Sequence, residues 1–165
     1  MNEWAEFEQI IEQTNQQYRM RKVAVIQKIA TPWKVVRAFE NKRSVPMWRA
    51  YPMEKSTVDF GGTAQGLSIW FDAKKSDLPN YLPLNNIKEH QVQFLTEVDQ
   101  LGGKAFFLVY SKVKKAFYVL WIKDYLRFRK ESDRKSIPWE WFEANCKQVY
   151  ASVHYYLDYL KEVLA

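Results

Sequence analysis

A chain of 165 residues suffices for one domain with a sizeable core, and 47% hydrophobic residues with seven tryptophans exclude a disordered polymer. A formal net charge of +6 and an isoelectric point near 9.3 favour a polyanionic partner. One cysteine (Cys146) and two histidines (His90 and His154) leave no disulfide framework, no thiolate zinc site and little material for a zinc hydrolase. No apolar run reaches membrane-spanning length, and the first residues lack the basic start and apolar stretch of a secretion signal, so the expected compartment is the cytoplasm.

In chain order, Asn2 is placed to cap a helix running to about Met20, with Glu3 and Glu6 near its positive end. Trp4, Phe7, Ile11, Thr14 and Tyr18 recur at helical spacing as its buried stripe, and Glu8 falls within that stripe, either reaching a metal site or lying at its edge in water. Residues 23–29 and 33–39 read as β-branched strands on either side of Thr31-Pro32. From residue 33 to 55 there are six Lys or Arg against two Glu. There, Lys42, Arg43, Trp48 and Arg49 interleave cations with aromatics, a mixture that neutralises phosphates and stacks on bases or else folds back as a solvated loop.

Residues 56–75 read as a hairpin, with a first strand ending near Phe60, a turn over 61–66 and a second strand from Leu67. After a loop over 77–83, Asn86 and Glu89 suggest a capping box for a helix ending at Gly102-Gly103, with Ile87, Phe94, Leu95, Val98 and Leu101 apolar and Gln91 on the same stripe. His90 beside it is expected to be a hydrogen-bonded histidine near the helix start. Residues 105–110 and 116–122 form a second hairpin, and 124–130 a short helix. Residues 127–135 hold five cations, among them Arg127, Arg129, Lys130, Arg134 and Lys135, as a second basic patch. A turn of helix is expected from Ser136-Ile137-Pro138 through Phe142, and a last helix over 153–164 with Tyr156, Leu157, Leu160 and Leu164 on one face.

Candidate chemistry lies on the first hairpin. Period two puts Leu67, Ile69, Phe71 and Ala73 on a core-facing side of the second strand and Ser68, Trp70, Asp72 and Lys74 on the other. Asp59 on the partner strand completes an Asp, hairpin, Asp-x-Lys pattern. Two converging carboxylates suit magnesium, which takes one or two of them and keeps its other positions for water and phosphate oxygens. A lysine on the same face can orient the attacking water or stabilise a pentacoordinate phosphorus. The pattern by itself also fits a solvated strand face with alternating charges.

Taken together, these residues resemble the RecU family of Holliday junction resolvases, in the PD-(D/E)xK nuclease superfamily. The resemblance covers most of the chain. It includes Phe7-Glu8 with Ile11, Thr14-Asn15 and Tyr18; Val25-Ile26 with Thr31-Pro32; and Lys42-Arg43-Ser44. Further along it includes Ser56-Thr57-Val58-Asp59, Phe71-Asp72-Ala73-Lys74, Pro83-Leu84, His90-Gln91 and Arg134-Lys135-Ser136.

What the resemblance implies is an α/β (α+β) chain with a mixed central sheet flanked by helices. It would form a single nuclease domain over residues 1–165, a restriction-endonuclease-like core carrying a protruding stalk at about 40–55. Asp59 and Asp72 are implied as metal ligands, Lys74 as the catalytic lysine, Gln91 as the polar residue bordering the site and Glu8 as the N-terminal helix acid. Arg43 lies in the stalk. Implied too are Mg2+ (with Mn2+ able to substitute), a homodimer whose two sites nick a four-way junction symmetrically, and contact with a strand-exchange recombinase. The compact length suits a phage-encoded relative. This chain departs from the family in having Asp72 where Glu is more frequent and Val58 in place of a hydroxyl residue. Two other readings stand beside it: a branched-DNA-binding accessory factor without turnover, and a related nuclease acting on linear or forked DNA.

Overall fold

The computed structural model describes residues 3–38, 47–53 and 57–165. The chain opens on α1 (Glu3–Met20), which buries Phe7, Ile11, Thr14 and Tyr18 as the periodicity predicts. Asn2 and the side chain of Trp4 lie outside the described residues. Then come β1 (Ala24–Lys28), β2 (Trp33–Ala38), β3 (Met47–Pro52), β4 (Phe60–Ala64), β5 (Leu67–Ser76) and β6 (Tyr81–Pro83). A 3-10 turn (Leu84–Asn86) leads to α2 (Glu89–Gln100), followed by β7 (Lys104–Ser111), β8 (Ala116–Trp121), α3 (Ile122–Glu131), β9 (Ser136–Pro138), α4 (Trp139–Asn145), β10 (Lys147–Val149) and α5 (Tyr159–Leu164).

Six strands form one mixed sheet in the order β1-β4-β5-β7-β8-β10, in which only β5 and β7 run parallel. Helices α1 and α5 cover one face, where Phe7, Ile11, Tyr159 and Leu160 meet Phe60, Ile69, Phe71, Phe106 and Val119. Helices α2, α3 and α4 cover the other, packing Leu95, Tyr125 and Phe142 against Phe107, Val109 and Leu120. Because both faces are covered, β7 buries Ala105 through Val109 without interruption, a continuous apolar run rather than an alternating one. This is the mixed sheet flanked by helices expected from the sequence.

One rung of aromatic rings sets the register that matters. Phe60, Phe71 and Phe106 lie side by side on β4, β5 and β7, with ring centroids 5.0 and 4.9 Å apart and nearly parallel planes. Continuing the same register places Asp59 across from Asp72, one step beyond the rung. A slip of one residue would turn Asp72 to the opposite face, so burial of these rings also fixes where the carboxylates point.

Several elements differ from the sequence reading, each for a local reason. The first hairpin is tighter than predicted: β4 begins at Phe60, where the strand was expected to end. The turn is Gln65-Gly66 alone, both at positive φ, as a two-residue hairpin requires. Gly61 and Gly62 are strand residues because their neighbours come too close for a side chain. A Cβ on Gly62 would lie 1.9 Å from the carbonyl oxygen of Val25 on β1. Gly62→Ala is therefore expected to push β1 off the sheet edge and cost about 1–3 kcal/mol in urea unfolding, whereas an unchanged midpoint would mean β1 shifts freely.

Residues 47–52 form β3 rather than a loop, 81–83 form β6, and 136–138 form β9, which pairs with β6. Helix α2 starts at Glu89, not Asn86. Its cap is Lys88, whose backbone N–H donates to Gln91 Oε1 (3.1 Å). Val92 fills the buried stripe, while Leu101 is 89% exposed at the helix end and His90 is exposed at the helix start. The last helix is shorter than predicted, and Val153 and Tyr156 face solvent.

Candidate active site

The face of β5 that carries Asp72 and Lys74 is not the solvated strand face that alternation alone would suggest. Helix α2 lies over it, and Asp72 is fully buried with Lys74 only 7% exposed. Four predicted residues meet there. Asp72 Oδ1 accepts from the backbone N–H of Asp59 (3.1 Å) and from Gln91 Nε2 (3.0 Å). Lys74 Nζ lies 2.7 Å from Asp72 Oδ2. The Asp59 carboxylate bends toward the backbone, its Oδ2 accepting from the Ala73 N–H at 3.4 Å. Gln91 is held by both ends of its amide, accepting from Lys88 and donating to Asp72, so the start of α2 is tied to the carboxylate.

The electrostatics of this cluster are strained. The Asp72 carboxyl is raised from 3.8 to about 7: burial pushes it up most, the Lys74 ammonium pulls it down and the neighbouring Asp59 pushes it up. The Lys74 contact is an ion pair by distance but lacks hydrogen-bond geometry, which leaves Asp72 Oδ2 a buried acceptor without a hydrogen bond. A buried carboxylate oxygen met only by an ammonium, beside a second carboxylate, is a place where a hard cation would be stabilised. Among the described residues no group of three or more His, Cys, Asp or Glu is arranged to hold a metal.

Glu8 is not drawn into this cluster. It pairs with Lys28 at the end of β1 (2.5 Å), and Lys28 also reaches Glu12 (3.5 Å). The hydrogen bond that Lys28 donates to Glu8 holds its ammonium above its ordinary value. Strand β1 nevertheless touches the site through its exit, since Ile29 N–H donates to the Asp59 carbonyl at 2.7 Å. Lys28 was missed in the sequence, where the only signal was a cation ending a β-branched run next to the expected Thr-Pro break.

The predicted cationic residues lie in two places. Trp48 and Arg49 are on β3, which pairs antiparallel with β2 as a separate two-stranded ribbon exposed along nearly its whole length, with Trp48 64% exposed. Lys42 and Arg43 lie outside the described residues, as do the rest of 39–46 and 54–56. On α3 and beyond, Arg127 pairs with Asp124 (3.0 Å), Arg129 donates to the Tyr125 hydroxyl (3.0 Å), and Lys130 is exposed. Arg134 and Lys135 project, with Arg129, at a cleft of about 840 Å3 whose other wall is the segment from Leu78 to Asn85. No single stretch of sequence marks this cleft, although Pro83-Leu84 and Arg134-Lys135-Ser136 lie on its two walls. Pairing of β6 with β9 is what brings these two stretches together.

The sequence profile of the family described as Recombination protein U (RecU) matches residues 2–165. The Holliday junction resolvase RecU of Pediococcus pentosaceus is 34% identical over 161 residues, covering 94% of this chain and 80% of that protein. The Holliday junction resolvase RecU of Shouchella clausii is 34% identical over 156 residues, covering 93% and 75%. A solved structure of Hjc, a Holliday junction resolvase from Archaeoglobus fulgidus, aligns with a TM-score of 0.45 over 88% of each chain at 12% identity. This chain belongs to the RecU family.

Proposed function

We propose that this chain is a metal-dependent, structure-selective endonuclease that resolves four-way DNA junctions by paired nicking, built as one nuclease domain with a projecting stalk. The observation that carries the reading is the cluster of half-buried Asp59 with buried Asp72, Lys74 and Gln91, in a chain whose relatives are named Holliday junction resolvases. Asp59 and Asp72 would hold the cation, and Mg2+ suits them best, with Mn2+ as a substitute, because the donors are hard oxygens. Such a cation supplies charge stabilisation at the scissile phosphate and acidifies a bound water.

The rest falls to the side chains. Hydrolysis forms an oxygen–phosphorus bond from water and breaks one to a sugar oxygen, so negative charge grows on the phosphoryl oxygens. Lys74 is an ammonium held beside the carboxylates, placed to orient the water and to meet that growing charge. Gln91 and the Asp59 N–H fix one oxygen of Asp72 and leave the other directed into the site. Burial of Asp72, Lys74 and Gln91 strengthens their interactions.

The exposed β2–β3 ribbon is the stalk of this reading. It offers Trp33, Trp48 and Tyr51 as stacking surfaces with Lys34, Arg37 and Arg49 as phosphate contacts. The partners assigned are branched DNA, a second copy of the chain giving two symmetrically placed sites, and a strand-exchange recombinase.

The test compares an end-labelled four-way junction with a matched linear duplex in Mg2+, Mn2+ or EDTA. Paired symmetrical nicks on the junction alone, lost in EDTA, are expected. Trp48→Ala with Arg49→Ala is expected to weaken junction binding about tenfold while duplex binding changes much less. Cutting that ignores branching would discard the resolvase and keep the nuclease. Tight junction binding with no cut in either metal would favour a non-catalytic accessory factor.

A further inference from the structure

The cleft between residues 78–85 and 129–136 is built as part of the same machinery as the carboxylate cluster. Strand β5 runs from Lys74 to Ser76, about 7 Å further along, where the Ser76 hydroxyl donates to the Tyr81 carbonyl (2.9 Å). At the other end of the wall, Asn85 O accepts from Lys88 Nζ (2.9 Å), and Lys88 opens the helix whose Gln91 holds Asp72. The wall is thus anchored to the site at both ends. It is also rigid. Leu84 N–H donates to Lys135 O (3.0 Å), Trp139 N–H to Asn80 O (3.0 Å), and the Trp139 indole N–H to Leu78 O (3.1 Å).

The lining is more than a phosphate contact requires. Arg129, Arg134 and Lys135 supply cations, and the last two have no ion pair among the described residues. Tyr81 is 39% exposed, and its ring has no aromatic partner among the described residues. Asn85 and Asp133 add an amide and a carboxylate at the same rim. Phosphates need only cations, whereas an aromatic face with amide and carboxylate groups along the same open cleft offers an unstacked base both stacking and edge recognition. A volume of about 840 Å3 accommodates a nucleotide.

We propose that this cleft takes one unstacked nucleotide of the strand being cut. The base lies on Tyr81, its phosphate between Arg134 and Lys135, and its edge faces Asn85 and Asp133, so that cutting is selective for sequence. Placement on the cut strand rests on the nuclease reading above. Occupancy of the cleft does not, and the two are separable.

The experiment uses the full chain in EDTA and titrates it with single-stranded tetranucleotides of each base, read by calorimetry. Affinities are expected to differ among the four bases. Tyr81→Ala is expected to weaken the best of them about tenfold, with Tyr81→Phe close to the parent protein and Asn85→Ala levelling the base preference. A thermal melt checks that each variant is folded. Junctions with permuted bases around the crossover are then cut by the parent protein in Mg2+. Tetranucleotide binding unaffected by Tyr81→Ala overturns the cleft even if junctions are cut. Equal affinity for the four bases overturns the edge reading. Binding that depends on Tyr81 in a protein that never cuts a junction upholds the cleft and overturns the nuclease reading.

Discussion

Asp72→Asn is expected to reduce junction cleavage by two to three orders of magnitude or more and to flatten the pH dependence of stability in EDTA. The two effects have one source. In the parent protein the folded-state value of this carboxyl is raised from 3.8 to about 7, chiefly by burial. Between those values the native state therefore holds a proton that the unfolded chain has lost, so the folded form is favoured at acid pH. That advantage is complete below pH 4 and is lost as pH rises through 7. A shift of this size is worth at most a few kcal/mol.

Asparagine keeps the oxygen that Gln91 and the Asp59 N–H need but carries no titratable proton. Urea unfolding of both proteins from pH 4 to 8 in EDTA should show the parent losing stability relative to the variant across that range. Parallel curves would mean that Asp72 stays ionised throughout. Adding Mg2+ at pH 8 should stabilise the parent more than the variant, since a ligand that binds only the folded state raises its stability by mass action.

Phe71→Ala should be among the most destabilising single changes available in this chain, costing about 3–5 kcal/mol. The ring is fully buried, stacked on Phe60 and Phe106 and in tilted contact with Tyr159 at 5.1 Å. Truncation leaves a cavity walled by three rings on two strands and a helix, which cannot close without moving the sheet. For a chain of this size the melting temperature should fall by roughly 10 °C. Because Phe71 directly precedes Asp72 and its rung fixes the strand register, junction cleavage at permissive temperature is expected to fall as well. Phe71→Leu, which keeps most of the volume, should recover much of both. Equal loss in the two variants would show that ring stacking rather than filled volume holds the rung.

Much of this was legible because the signals are local. The stripe of α1, the β-prone runs that became β7 and β8, and the alternation along β5 are written in spacings that the backbone geometry of helix and strand enforces. Boundaries were less legible. Gly61 and Gly62 look like turn residues, but they are glycines because Trp70 and the β1 backbone come close, a reason found on other segments of the chain. The capping pair at Asn86 and Glu89 was displaced to Lys88 and Gln91 because Gln91 is shared with Asp72. Strands β3, β6, β9 and β10 were missed because short strands exist only through their partners.

By itself the sequence determined that two acids and a lysine sit around a hairpin with an apolar far face, and that cations gather in two stretches. It could do so because residue type and period two are local properties. Only the tertiary structure decided that α2 buries the acidic face, which is what raises Asp72 and leaves Oδ2 facing the Lys74 ammonium away from water. It alone turned Glu8 to Lys28 and folded residues 78–85 against 129–136 into a cleft. Burial and convergence are relations between segments far apart in the chain, and no spacing within one segment encodes them.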